Sequence, residues 1–118
     1  MANIYKNIQA VINEAASDVD MYTSPTATTS IVKTIRIFNT HSGDLDVTST
    51  VYDASSTTDF EWDKTTVTAD NHANLLTFNN LLMLEAGDIL KMQTPTTNVV
   101  KMTASVLQIT RPPEVTTT

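Results

Sequence analysis

The chain has 118 residues, a formal charge of −6, 41% hydrophobic residues and only 17% charged ones, a length that suits one domain burying roughly two-thirds of its unfolded surface. Low charge with abundant Thr and Ser favours strand over helix, and seven scattered basic residues form no stripe for a nucleic-acid partner. Without cysteine there is no disulfide framework or thiolate metal site, and no apolar stretch nears the roughly 18 to 20 residues that span a membrane.

The N-terminus, MANIYKNIQ, has no signal-like apolar block, so a soluble protein made in a cytoplasm is expected. In IYKNIQAVINEAA, Ile8, Ala10 and Ile12 alternate as in a strand, while Ile4, Ile8, Val11, Ile12 and Ala15 also fit a helical stripe; the β-rich remainder favours strand. VDMYTSPT reads as a short strand closed by Pro25, with TATT as loop.

SIVKTIRIFN places Ile31, Ile35 and Ile37 on one parity, with Lys33 among them, so a bulge or a strand start at Thr34 must keep the amine out of the core. DLDVTSTVYD puts Leu45, Val47, Ser49 and Val51 on one face, and NTHSG before it suggests that the two runs pair as a hairpin. DFEWD alternates Phe60 and Trp62, expected in the core, with Asp59, Glu61 and Asp63. Two apolar clusters in NLLTFNNLLML precede a turn at Gly87. Leu90 and Met92 then share a face, as do Met102, Ala104 and Val106 in VVKMTASVLQIT. The pattern predicts an all-β single antiparallel β-sandwich, jelly-roll-like or Ig-like, over residues 1–110. Residues 1–4 are a possible N-terminal arm, and 111–118, RPPEVTTT, are expected as an extended C-terminal tail.

Little here points to chemistry. The two glycines each precede an aspartate, Gly43-Asp44 and Gly87-Asp88, and are expected to act as turns, with glycine supplying a positive φ and aspartate bonding local backbone. His41 and His72 fall in predicted loops without companions at ligand spacing, so no metal site is expected. No nucleophile elbow, phosphate-cradling loop or paired-carboxylate motif appears, so neither catalysis nor a cofactor is expected. Asp59, Glu61 and Asp63 could face a basic protein surface or Ca²⁺, yet carboxylates about 7 Å apart along a strand are more simply solvated. The same row, with Arg111, Pro112 and Pro113 of the tail, is the candidate partner-contact face.

The segments YKNIQAVI, MYTSPTATTSIVKTIRIFNT, DLDVTSTVYD, LLMLEAGDILKM and VKMTASVLQIT, in that order, resemble small virion structural proteins of tailed bacteriophages. A Y-T-x-P-x-x-x-T-x-I-V-K-x-I segment is matched by Tyr22, Thr23, Pro25, Thr29, Ile31, Val32, Lys33 and Ile35. An L-x-L-E-A-G-D-x-L-K turn is matched by Leu82, Leu84, Glu85, Ala86, Gly87, Asp88, Leu90 and Lys91, while the stretch from Ala54 to Asn80 diverges.

The resemblance implies a non-enzymatic β-sandwich of the particle, without catalytic residues. Decoration or cementing of the capsid surface is the first expectation, with the major capsid protein or other virion proteins as partners and a homo-oligomer, trimer before dimer. A neck, tail or fibre component is the alternative. A carbohydrate-binding module using Trp62 and Tyr52 as platforms is a distant third.

Overall fold

The computed structural model describes residues 2–76 and 81–110. Among the described residues nine strands form two sheets: β1 (Ala2–Val11), β2 (Val19–Thr23), β3 (Thr28–Asn39), β4 (Leu45–Asp53), β5 (Thr58–Val67), β6 (Asn71–Leu76), β7 (Leu82–Leu84), β8 (Ile89–Gln93) and β9 (Val100–Thr110). Sheet A runs β1-β9-β3-β6, with β7 also on β3; sheet B runs β2-β8-β4-β5.

The pairing follows from the chain doubling back on itself. β1 pairs with β9, β2 with β8, β3 with β6 and β7, and β4 with β5, all antiparallel. The chain is thus one long hairpin with its tip between β4 and β5. Rolling that hairpin adds the β3–β9 and β4–β8 ladders and closes two sheets around one core. β6 and β7 lie in line along the same edge of β3, β6 against Ile35–Asn39 and β7 against Ser30–Val32. Counted as one interrupted strand, they complete two four-stranded sheets whose order is that of a jelly roll. The Ig-like alternative is thereby set aside.

Period-2 alternation supplies the core. From β9 come Val100, Met102, Ala104 and Val106, from β3 Val32, Ile35 and Ile37, from β4 Leu45 and Val47, and from β8 Leu90 and Met92. In β3 the register against β9 shifts between Val32 and Thr34, which leaves Lys33 as the extra residue. The bulge keeps Thr28, Ser30 and Val32 inward before it and Ile35, Ile37 and Asn39 inward after it. Ile31, expected inward, therefore faces out, and Thr28 and Thr29, expected in a loop, open the strand.

Three other expectations give way. β3 and β4 form no hairpin, because they lie in different sheets and the 40–44 connection crosses between them; alternation fixes faces but not partners. Residues 2–4 are rungs of the β1–β9 ladder, opposite Thr110, Ile109 and Gln108, rather than an arm. Phe60 is 53% exposed. β5 is an edge strand of sheet B, so among the described residues no further strand pairs beyond it to cover this ring.

Candidate interaction surface

The two glycine-aspartate pairs prove to be joints between loops. Gly87 has φ +84, and its N–H donates to the Ser24 carbonyl at 2.9 Å. The buried Asp88 carboxylate accepts two backbone N–H groups, from Glu85 on Oδ2 (2.9 Å) and from Ala54 on Oδ1 (3.0 Å). The second bond ties the β7–β8 turn to the β4–β5 tip.

Gly43 does not repeat this device, since its φ is not in the left-handed region. Its N–H donates to His41 Nδ1 at 3.0 Å, which places that ring's proton on Nε2. Asp44 again reaches a distant loop, accepting the Ala69 N–H at 2.9 Å. Buried Asn39 completes this end by donating from Nδ2 to the carbonyls of Gly43 (3.0 Å) and Val67 (3.1 Å).

At the other end a buried polar relay crosses between the sheets. Gln108 Nε2 donates to Tyr22 Oη at 2.6 Å, Tyr22 meets Ser30 Oγ at 2.7 Å, Ser30 meets Ser24 Oγ at 2.9 Å, and Ser24 donates to the Thr28 carbonyl at 3.0 Å. One proton per hydroxyl fixes the direction. Ser24 spends its proton on the carbonyl, so Ser30 donates to Ser24 and Tyr22 to Ser30. The relay satisfies polar atoms that burial would otherwise penalise, and it is structural. Sequence alternation placed Tyr22 on a short strand and gave no sign of its partners.

The acidic row of β5 is split. The β4–β5 register shifts so that Ser49 faces Asp63 and Thr50 faces Glu61, leaving Trp62 as the bulge. Asp59 and Glu61 share the outer face of sheet B, whereas Asp63 takes the inward parity, where its Oδ2 accepts the Thr65 hydroxyl at 2.6 Å. Trp62 packs half-buried against the core with its Nε1 enclosed and unpartnered, so it presents no open platform for a sugar. Tyr52 lies under Lys91, whose Nζ is 5.2 Å from the ring centroid and 3.7 Å from Asp59. Among the described residues no three His, Asp or Glu side chains converge as a metal site would require. Arg111, Pro112 and Pro113 lie outside the described residues.

The feature that sequence reasoning missed is the outer face of sheet A. Register lines up Tyr5, Leu107, Ile31 and Met83 as one row across four strands. Tyr5 is 72% and Met83 62% exposed. Lys33, expelled by its bulge, sits with Nζ 5.0 Å from the Tyr5 ring centroid. The strands of this sheet carry Lys6, Lys33, Arg36 and Lys101 and no Asp or Glu. Those of sheet B carry Asp20, Asp46, Asp53, Asp59, Glu61 and Asp63 against Lys64 and Lys91. An apolar row on a sheet whose strands carry cations and no carboxylate is a candidate protein-contact surface.

No protein-family model matches the chain, and no curated protein does. The chain is similar to one in the cryo-EM structure of the virus-like particle of extra small virus of the giant freshwater prawn, Macrobrachium rosenbergii. The TM-score is 0.54 at 13% identity, over 95% of this chain and 82% of that one. At that identity the likeness is one of fold, and it embraces both sheets.

Proposed function

We propose that the protein is a non-enzymatic structural component of a virus particle that decorates or cements the capsid shell. The observation that carries this reading is the jelly-roll likeness, over nearly the whole chain, to a chain of a virus-like particle. Jelly rolls also serve lectins and cupins, so the fold alone does not choose. Against a lectin-like role stands half-buried Trp62, packed on the core with its indole nitrogen enclosed. In favour of assembly stands the outer face of sheet A, which offers apolar rungs and basic side chains on strands that carry no Asp or Glu, with Glu85 of the next turn at its rim beside Met83.

The finer assignment, to the capsid surface of a tailed bacteriophage with the major capsid protein as partner, rests on the segments around Tyr22–Ile35 and Leu82–Lys91. The same segments leave a neck, tail or fibre adaptor as the second reading. Quantitative mass spectrometry of purified particles separates the two. Decoration predicts a copy number on the order of hundreds, following shell symmetry, and stripped particles that rupture more readily. About a dozen copies or fewer would move the protein to the neck or tail. Absence from the particle would overturn both.

A further inference from the structure

We propose that the protein self-associates head to tail, with the outer face of sheet A of one copy docked on the outer face of sheet B of the next. The inference is independent of where on a particle the protein sits, and charge is its starting point. Outward on sheet A stand Lys33, Arg36 and Lys101, while outward on sheet B stand Asp20, Asp46, Asp59 and Glu61, with Lys64 and Lys91 among them. A two-fold pairing of like faces sets cations against cations or carboxylates against carboxylates; only A on B pairs opposite signs.

The apolar groups agree with this arrangement. Sheet A offers the row Tyr5, Leu107, Ile31 and Met83, and sheet B offers Tyr52 beside Ile89. Met83 precedes the Glu85–Asp88 turn and Ile89 follows it, so both rows lie at the same end of the sandwich. A copy displaced across the sandwich thickness brings one row over the other. On sheet A, four strands at about 4.8 Å spacing and about 35 Å length give a face of about 700 Å²; two strands of sheet B are only five residues long, so the smaller face, about 500 Å², sets the contact at the low end of specific interfaces. Such a heterologous contact closes into a ring if the copies rotate and continues as a filament if they do not.

The test uses the full chain in a dilution series by size-exclusion chromatography with light scattering. The expected mass rises above one chain with concentration, and association weakens about tenfold on going from low salt to roughly 0.5 M. The pair K33E/R36E reverses face A, and the pair D59K/E61K reverses face B. Each is expected to stay monomeric alone, and mixing the two restores association at one-to-one stoichiometry, since each variant keeps the face that the other lacks. M83E, at an exposed rung, provides a further face-A disruption if a double variant fails to fold. A wild-type chain monomeric throughout, a reversed variant that associates like wild type, or a mixture that stays monomeric would each overturn the proposal. Binding of a single-stranded oligonucleotide by a chain that does not bind itself would overturn it too, marking face A as a polyanion site.

Discussion

On the outer face of sheet A the charged strand side chains are Lys33, Arg36 and Lys101, whereas on that of sheet B carboxylates outnumber the two lysines, one of which, Lys91, pairs with Asp59 at 3.7 Å. Both faces use the same Thr-rich, β-branched composition, so their backbones do not explain the contrast. A formal charge of −6 reads as uniform acidity; folding resolves it into a basic sheet, an acidic sheet and acidic loops. The bulges sharpen the difference. The one at Lys33 turns that residue out onto face A, and the one at Trp62 takes Asp63 off face B, leaving Asp59 and Glu61 there.

The contrast persists only while the two sheets are held together, and the joints at the Asp88 end are the most direct way to break it. Replacing Asp88 by Ala leaves the Glu85 and Ala54 N–H groups without their shared carboxylate. Chemical denaturation should show a loss of about 3 kcal/mol, the scale of hydrogen bonds to a charged acceptor. Asp88→Asn recovers only part of this, because one carboxylate oxygen becomes an NH₂ that cannot accept. A smaller break comes from Tyr22→Phe, which removes the proton donated to Ser30 and the acceptor used by Gln108. The expected loss is about 1–3 kcal/mol. Ser30→Ala in the Phe background should then add less than it does in wild type, as a double-mutant cycle reads directly.

Much of this arrangement was legible in the sequence, and the illegible part has a common cause. Alternation gave the inward faces of β8 and β9 correctly, because Leu90 and Met92, and Met102 through Val106, run without a bulge. It also exposed the conflict at Lys33, where a charge sat on an apolar parity and called for a bulge or a strand start at Thr34; the bulge is the one that forms. The bulge at Trp62 was invisible because DFEWD alternates without a flaw, so no residue looked misplaced. The row Tyr5–Leu107–Ile31–Met83 was likewise hidden, since its members come from four strands and meet only through register. The same holds for the sign of each face: Lys33, Arg36 and Lys101, apart in the chain, become one field only once β3 and β9 are neighbours.

Lys33 also provides a milder perturbation of face A. Deleting it leaves Val32 inward, Thr34 outward and Ile35 inward, a regular alternation that keeps the pairing of Val32 with Val106 and Thr34 with Ser105. The deletion variant should therefore fold, losing about 1 kcal/mol or less with its contact to Tyr5, and amide exchange should show the β3–β9 ladder intact. Failure to fold would mean that the bulge is needed for the twist of sheet A as well as for expelling the amine.

The smallest expected effect is confined to the sheet B side of the comparison, where sheet A has no counterpart carboxylate to titrate. Asp53 closes the β4–β5 tip, accepting the Ser55 hydroxyl at 2.7 Å and the Ser55 N–H at 3.1 Å on Oδ1. The Ser55 hydroxyl is the main reason that its carboxyl is held below the ordinary value of 3.8; slight burial opposes the shift, and the Ser55 N–H and the Ser56 groups add to it. Because the folded state holds the proton less tightly than the unfolded chain, the unfolded chain protonates first as pH falls. The stabilising contribution is thus fully present above 3.8 and is lost as pH drops through the lower folded value. Melting wild type and Asp53→Asn side by side should show a constant difference at neutral pH that vanishes in acid, and side-chain carboxyl NMR reads the titration directly. An Asp53 that titrates at or above 3.8 would mean that the tip opens in solution, and with it the hairpin that sets Asp59 and Glu61 on face B.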